Sequence, residues 1–453
     1  MGGNYEKSIY RQLQEVLERL EQAEKTIQEL RLENAQLKDE IARLKGMNSG
    51  NSSKPPSSDG FNKPIKMREK SDRPVGGQKG HKGVTKPLYE NPDEICEFAI
   101  EKCQCGGEIE YSGEYVAKQY VDVEIKSKIT EYRSYIGKCS CCGAKVKNQH
   151  GLHDRITYGN NLKSLAAMLS CEGNVSINRI KSMILELTGN IALSEGTLVN
   201  WQRELGEKLE PFIDRIKLKL KAKPVLHKDE TGVRINKKLH WFHVLGDKEL
   251  TLYFSHPKRG KEADEQMGIL SDYGGVLEHD HLKSLYHFKC QHAECNAHIL
   301  RYLKAAKENQ KCDWADEMAK FLVELNERKK CGEKFNLDAC FAKYDEILAK
   351  ARTKYYNNPQ GTDYTLWKRM GEFKTEHLRF ICDENVPFDN NQAERDLRMI
   401  KAKTKISGCF RSDWGSATFA NTKSYTSTLR KNRHNIFDSL VLAFCNTPNF
   451  CLN

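Results

Sequence analysis

Three carboxylates and four thiols in this sequence have the types and spacing that chemistry requires. Asp229 lies in HKDETGVRI, Asp280 closes GGVLEHD, and Glu394 sits in FDNNQAERDLRMIKAKTK. Three acids drawn from separate elements can hold two Mg²⁺ or Mn²⁺ ions roughly 4 Å apart. One ion activates a water or a 3′-hydroxyl, and the other stabilises the leaving oxygen of an in-line displacement at phosphorus. Hard oxygen ligands suit these ions and not zinc. Asn391, Glu394 and Arg398 fall at i−3, i and i+4, on one helical face, with Lys401 a turn further along. A carboxylate flanked by an amide and two cations suits metal and phosphate held together. Glu230, Glu278 and Asp389 are neighbouring acids that spacing alone does not separate from these three. Taken singly, any of the six is more often a solvated surface acid. Joint placement is the argument.

The thiols are Cys103 and Cys105 in CQCGG and Cys139 and Cys142 in CSCCGA. Each pair is followed by glycine, as at the tips of adjacent hairpins, where four sulfurs would coordinate a structural Zn²⁺ tetrahedrally. Cys139 and Cys142 have the usual two-residue gap, whereas Cys103 and Cys105 are one residue tighter, so Cys96 or Cys141 can substitute. Reduced structural cysteines are the alternative.

The elements that must position these residues follow from periodicity. From Lys223, PVLHKDETGVRI, KLHWFHVLGD and ELTLYFS read as three strands, with hairpin turns near Asn236-Lys237 and at Gly246-Asp247-Lys248. The segment KEADEQMGILSDY reads as a helix, and GGVLEHD as a fourth strand ending in Asp280. Three antiparallel strands, a helix and a fourth strand form the ribonuclease H-like order. In it an acid of strand one and an acid ending strand four lie side by side, the places of Asp229 and Asp280. A later helix supplies Glu394.

Upstream, Leu13, Leu20, Ile27, Asn34 and Ile41 alternate with Ile9, Val16, Ala23, Leu30, Leu37 and Leu44 at heptad spacing. That predicts a coiled coil over residues 9–46, and Asn34 at a core position favours a parallel homodimer. A long helix folded back on its own chain would give the same pattern. Residues 47–90, rich in Gly, Ser, Asn and Pro and then basic, read as a linker. Residues 91–150 form the zinc-ribbon-like module. Residues 155–222 read as short helices, with Ser194 as an N-cap, and suit either a helix-turn-helix-like DNA-binding module or a helical spacer. The catalytic domain spans 223–436, with a mostly helical insertion at 281–388, and 437–453 is a C-terminal tail. The fold class is therefore α/β multidomain.

Composition bounds the rest. The 453 residues suit about three domains. Lys and Arg number 73 against 62 Asp and Glu, a net +11. Eight basic and two acidic residues lie between Phe61 and Lys86, and ten against two between Arg395 and His434. Positive charge gathered in two stripes suits a polyanion. No apolar run approaches a membrane span, and MGGNYEKSIYRQ lacks a secretory core, so a soluble intracellular protein is expected.

HKDETGVRI, YGGVLEHDHLKSLY, CNAHILRYL and FDNNQAERDLRMIKAKTKISGCFRS resemble the blocks of bacterial insertion sequence 66 family transposases, a DDE class. NSSKPPSSD, GGQKGHKG, the cysteine module and SEGTLVNW resemble that family in the same order. The resemblance implies a DNA transposase that binds element ends and performs Mg²⁺-dependent cleavage and strand transfer through Asp229, Asp280 and Glu394. It implies terminal-repeat and target DNA as partners, a homodimer or higher oligomer, accessory proteins of the element, and a cytoplasmic, nucleoid-associated location. DNA contacts are expected from Lys79, His81, Lys82, Asn391, Arg395, Arg398, Lys401, Lys403, Lys405 and Arg411, with Arg395, Arg398, Lys401, Lys403 and Lys405 meeting phosphates. The alternatives are a nuclease that hydrolyses without joining, and a DNA-bound regulator with an inactive core. Cys295 and His298 match the family's C-x-x-H, either half a metal site or a polar clasp. Gly232 and His281 depart from its usual proline and glycine.

Overall fold

The computed structural model describes residues 14, 16–27, 29–30, 33, 37, 80, 83, 85–99, 103–147, 151, 154–357 and 359–445. The chain divides into two compact units, Lys66–His150 with Leu185–Ile191, and the remainder. No helix among the described residues is long and apolar enough to cross a membrane.

The smaller unit contains a short antiparallel hairpin, β1 (Ile136–Lys138) and β2 (Lys145–Lys147), with Gly137 opposite Val146. The alternating segment VAKQYVDVEI, between the two thiol pairs, belongs to no ladder among the described residues. Its Val116, Tyr120 and Val123 stand at least 80% exposed, so neither face is buried. Alternation predicts a strand only where a partner and a covered face exist.

In the larger unit, described residues between 16 and 30 are helical. Val16, Leu20, Ile27 and Leu30 are each about half exposed, an apolar stripe that no described residue covers. Four helices follow: α1 (Asn160–Cys171), α2 (Ile177–Thr188), α3 (Glu195–Lys208) and α4 (Glu210–Lys221). Ser194 caps α3 as its sequence predicts, its Oγ accepting from the Thr197 N–H at 3.0 Å.

A five-stranded sheet comes next, in the order β5-β4-β3-β6-β7. Strands β3 (Val225–Ile235), β4 (Lys238–Gly246) and β5 (Thr251–His256) form an antiparallel meander. Asn236 and Lys237 both have positive φ, 46° and 65°, giving the two-residue turn whose twist matches the strands. At the second turn Asp247 Oδ1 accepts from the Leu250 N–H at 2.6 Å. A Cβ on Gly246 would meet the Leu250 carbonyl oxygen at 2.4 Å, so this turn requires glycine. Helix α5 (Lys261–Met267) leads to β6 (Val276–His279), parallel to β3, and β7 (Gln291–Glu294) lies parallel to β6.

Strand β7 falls inside the stretch expected as a helical insertion. The four residues QHAE carry no periodicity long enough to announce a strand. The helices begin only at α6 (Asn296–Gln310) and continue through α7 (Asp313–Lys330), α8 (Leu337–Ala349), α9 (Arg352–Asn357), α10 (Thr362–Glu372) and α11 (Lys374–Cys382). They share a core of Ile299, Trp314, Met318, Leu322, Tyr344 and Leu378.

Helix α12 (Asn391–Ser407) packs on β3 and β4, burying Ala393, Leu397 and Ile400 against Val233, Ile235 and Phe242. Helix α13 (Asp413–Lys431) covers edge strand β5. The Thr251 and Tyr253 N–H groups donate to Thr428 Oγ1 and Ser424 Oγ, at 3.1 and 2.8 Å, so the open edge is satisfied by side chains. The expected tail is a correction. Ile436–Phe444 forms α14, capped by Asn435, with Leu440 and Ala443 fully buried. The run IFDSLVLAF is too apolar to be left in water. Helices α1, α3 and α4 likewise share one core with the sheet and α13, through Ala167, Leu205, Phe212, Leu226 and Tyr425.

Candidate active site

Parallel pairing of β3 with β6 sets His227 opposite Glu278. Two residues beyond this last ladder pair come Asp229, in the first half of β3, and Asp280, the first residue after β6, each in step with its pair by the period-two alternation of side chains. Their fields meet. Burial, then the charges of Glu230 and Asp280, push Asp229 up to about 8. Burial, then Glu230, push Asp280 up to about 6 against the pull of Arg259, Lys228 and Arg369. Asp229 Oδ1 accepts from the Glu230 N–H at 2.8 Å, whereas the buried Asp280 Oδ1 has no hydrogen-bond partner. Two crowded acids, one with an orphaned oxygen, are short of positive charge. A divalent cation would supply it, so this pair fits Mg²⁺ or Mn²⁺.

The third acid is turned elsewhere. Glu394 lies in the first turn of α12. Its Oε1 is 3.7 Å from His298 Nε2 and 3.5 Å from Arg301. Among the described residues, Asp229, Asp280 and Glu394 do not gather into a group with ligand atoms within 4.8 Å of one another. Cys295, His298 and Glu394 do.

The neighbouring acids separate clearly. Glu230 is 2.8 Å from Arg259 and 3.3 Å from Lys228, and these cations hold it below its ordinary range despite burial. Lys228 is fully buried. Burial alone would lower it, but Glu230 and Asp264 hold it up and charged. Asp389 Oδ1 accepts from the Asn391 N–H at 3.1 Å, an N-terminal tie for α12. Glu278 is fully buried with neither oxygen hydrogen-bonded, His227 Nδ1 lies 3.8 Å from its Oε2, and burial and Asp389 drive it far above the usual range.

Asn390 is a residue the spacing argument passed over. It precedes α12, and its side chain donates to the Lys228 carbonyl at 2.7 Å while its Oδ1 accepts from His227 Nδ1 at 2.9 Å. Its own N–H donates to Cys295 Sγ at 3.1 Å. Glu294 was missed as well. It ends β7 fully buried, bound to His281, to Arg369, to the Tyr286 hydroxyl at 2.5 Å and to His377 at 3.2 Å. These donors overcome its burial and hold it far below the usual range. His281, next after Asp280, is therefore clasped sideways onto Glu294. Buried acids inside an apparently helical segment leave no local sequence signal.

Of the expected DNA contacts, Arg395, Arg398, Lys401, Lys405 and Arg411 are exposed, and Asn391 is half-buried. Lys403 is a correction. Its ammonium donates to the Ser170 and Val175 carbonyls at 3.1 and 3.4 Å and lies over the Phe419 ring, so it ties α12 to α1. Lys79, His81 and Lys82 lie outside the described residues.

The four thiols sit in two tight turns. Gly106 N–H donates to the Cys103 carbonyl at 2.8 Å, and Gly143 N–H to the Cys139 carbonyl at 2.9 Å, both glycines having positive φ. N–H groups of Gly107, and of Cys142 and Cys141, hold the Cys105 and Cys139 thiols below their ordinary range, which suits thiolate ligands. Among the described residues the two pairs do not close into one group.

No curated protein matches the chain. Residues 10–87 match a family of unknown function (DUF6444). Residues 155–418, more than half of the chain and all five strands of the sheet, match the Transposase IS66 family, and the chain belongs to that family.

Proposed function

We propose that this transposase binds the ends of its element and cuts and joins DNA at Asp229, Asp280 and Glu394. The observation that carries the reading is the β3–β6 register. It carries β3 and β6 toward two partly buried acids, Asp229 and Asp280, whose charges interact, and a later helix bears a third acid and a row of exposed cations. The strand order, an antiparallel meander extended by two parallel strands, supports a ribonuclease H-like core.

Asp229 and Asp280 would hold the divalent ions, joined by Glu394 once it leaves His298. Such ions, when bound, supply nucleophile activation and leaving-group stabilisation in phosphoryl transfer. The protein's own part is positioning. Lys228, Glu230 and Arg259 brace β3 behind Asp229, and Asn390 fixes the start of α12. Arg395, Arg398, Lys401 and Lys405 lie exposed along α12, where they contribute affinity for phosphates and little sequence readout. The paired thiols of the smaller unit would hold Zn²⁺, and the apolar stripe near the N-terminus would form a two-stranded coiled coil.

The test is cleavage and joining of labelled DNA carrying the element's own ends, with Mg²⁺, wild type beside Asp229→Asn. Loss of both products in a variant that still binds DNA supports the assignment. Equal activity in the two proteins overturns it. Hydrolysis without joined products selects the nuclease reading.

A further inference from the structure

We infer that Cys295, His298 and Glu394 form a second metal site, selective for a borderline ion such as Zn²⁺, and that filling it withdraws Glu394 from the DNA-cutting centre. The regulatory half rests on the role given to Glu394 above; the site itself does not.

Sulfur, imidazole and carboxylate atoms of these residues all lie within 4.8 Å of one another. They come from three places in the chain. Cys295 is the residue between β7 and α6, His298 is in the first turn of α6, and Glu394 is in the first turn of α12. Cys295 is 1% exposed, and its Sγ already accepts the Asn390 N–H at 3.1 Å, the kind of outer hydrogen bond that steadies a metal-bound thiolate. His298 Nδ1 is buried without a hydrogen-bond partner, while its Nε2 is 3.7 Å from Glu394 Oε1. A buried imidazole nitrogen with nothing to bond is costly unless something occupies it.

The donor set decides the ion. One thiolate, one imidazole and one carboxylate with a fourth position open is a zinc-type arrangement, and Mg²⁺ does not take sulfur. Binding would expel the Cys295 thiol proton to solvent. Arg301, 3.5 Å from Glu394 Oε1, also engages that carboxylate, which has lone pairs enough for both. Glu394 cannot serve this site and the Asp229–Asp280 pair at once, because its carboxylate must turn from one to the other. Zinc would therefore hold the enzyme with its third acid removed.

The site is tested by titrating the full chain with Co²⁺ in a background in which Cys96, Cys103, Cys105, Cys139, Cys141 and Cys142 are all serine, which removes the thiols of the smaller unit. One equivalent with a thiolate-to-metal absorption band is expected. Cys295→Ser should abolish the band. His298→Gln, at a less buried position, should weaken binding at least as much as the roughly 10- to 100-fold that loss of an outer-shell partner costs. No band, or a band that survives both substitutions, overturns the inference. The regulatory half is read as the ratio of DNA cleavage with and without added Zn²⁺ at fixed Mg²⁺. Inhibition that a chelator reverses and that disappears in His298→Gln is expected. Cobalt binding with a ratio of one in wild type overturns sequestration. Absence of cleavage under all conditions counts against the proposed function, and the titration still decides the site.

Discussion

The side-chain amide of Asn390 donates to the backbone carbonyl of Lys228 at 2.7 Å, one residue before Asp229 in the same strand. The helix that carries Glu394 is thus pinned to the strand that carries Asp229 by a bond between the two chain segments themselves. His227 Nδ1, at 2.9 Å from Asn390 Oδ1, closes a second bond of the same tie.

Asn390→Ala should therefore cost more than a surface change. Leaving the Lys228 carbonyl and the His227 ring unpaired costs about 1–3 kcal/mol. Asn390→Asp keeps an acceptor for His227 but sets a buried carboxylate against the Lys228 carbonyl, so its loss should be at least as large. Denaturant unfolding of the two variants ranks them. DNA cleavage should fall in both while DNA affinity, set by α12's exposed cations, holds. Equal stability of Asn390→Ala and wild type would remove this tie from the account.

The raised acids make stability depend on pH in a defined direction. Asp229 titrates at about 8 in the folded chain, against an ordinary 3.8 when unfolded. Between these values the folded state holds the proton more tightly, so its contribution is fully present below about 4 and lost as pH rises through about 8. Metal-free protein should lose stability across that window, and Asp229→Asn should flatten the loss. Mg²⁺ competes with the proton, so its stabilising shift in melting temperature should be larger at about pH 8.5 than at about pH 5.5. A shift independent of pH, or unchanged in Asp229→Asn, would place Mg²⁺ elsewhere.

Much of this was legible from local pattern. The meander, both hairpin turns, the Ser194 cap and the position of Asp280 at a strand end all follow from alternation and turn residues. What stayed hidden depends on contacts between distant segments. Strand β7 is four residues long and exists because β6 offers it a parallel edge. Lys403 looks like its neighbours in sequence, yet the fold turns it onto the Ser170 and Val175 carbonyls. Glu394 reaches His298 across the whole helical segment between them, a span over which no spacing rule operates.

The divergence among the α12 lysines is itself testable. Arg398 and Lys401 are exposed, and replacing either with alanine should lower the slope of log affinity against log salt by about 1. Lys403→Ala should leave the slope alone and lower the unfolding free energy instead, since two backbone carbonyls lose their donor. Binding isotherms at several salt concentrations, beside denaturant melts, separate the two effects. A slope change in Lys403→Ala would return it to the DNA-contacting set.

Glu294→Gln tests how the helical segment is locked to the sheet. Glu294 gathers His281 beside Asp280, Arg369 from α10 and His377 from α11 around one buried carboxylate. Removing the charge leaves the largely buried Arg369 without its counter-ion, a loss of about 3–5 kcal/mol. Amide hydrogen exchange should rise across α10 and α11 more than across β3–β5. Uniform protection in the variant would show that the apolar core of Trp314, Tyr344 and Leu378 holds these helices without the ionic clasp.

The N-terminal stripe gives the last prediction. Leu20 and Leu30 are 55% and 57% exposed on a helix rich in charged residues, and no described residue covers them. A heptad seam of that kind is buried by a second copy. The wild-type chain should have a solution mass of about twice 52.0 kDa, and Leu20→Asp/Leu30→Asp should fall to about 52.0 kDa. Placing two carboxylates in a desolvated seam costs more than the seam gains from its remaining apolar residues. Light scattering after gel filtration reads the mass directly. A wild-type monomer would assign the stripe to an intrachain partner, and a variant that stays dimeric would move the dimer contact to another surface.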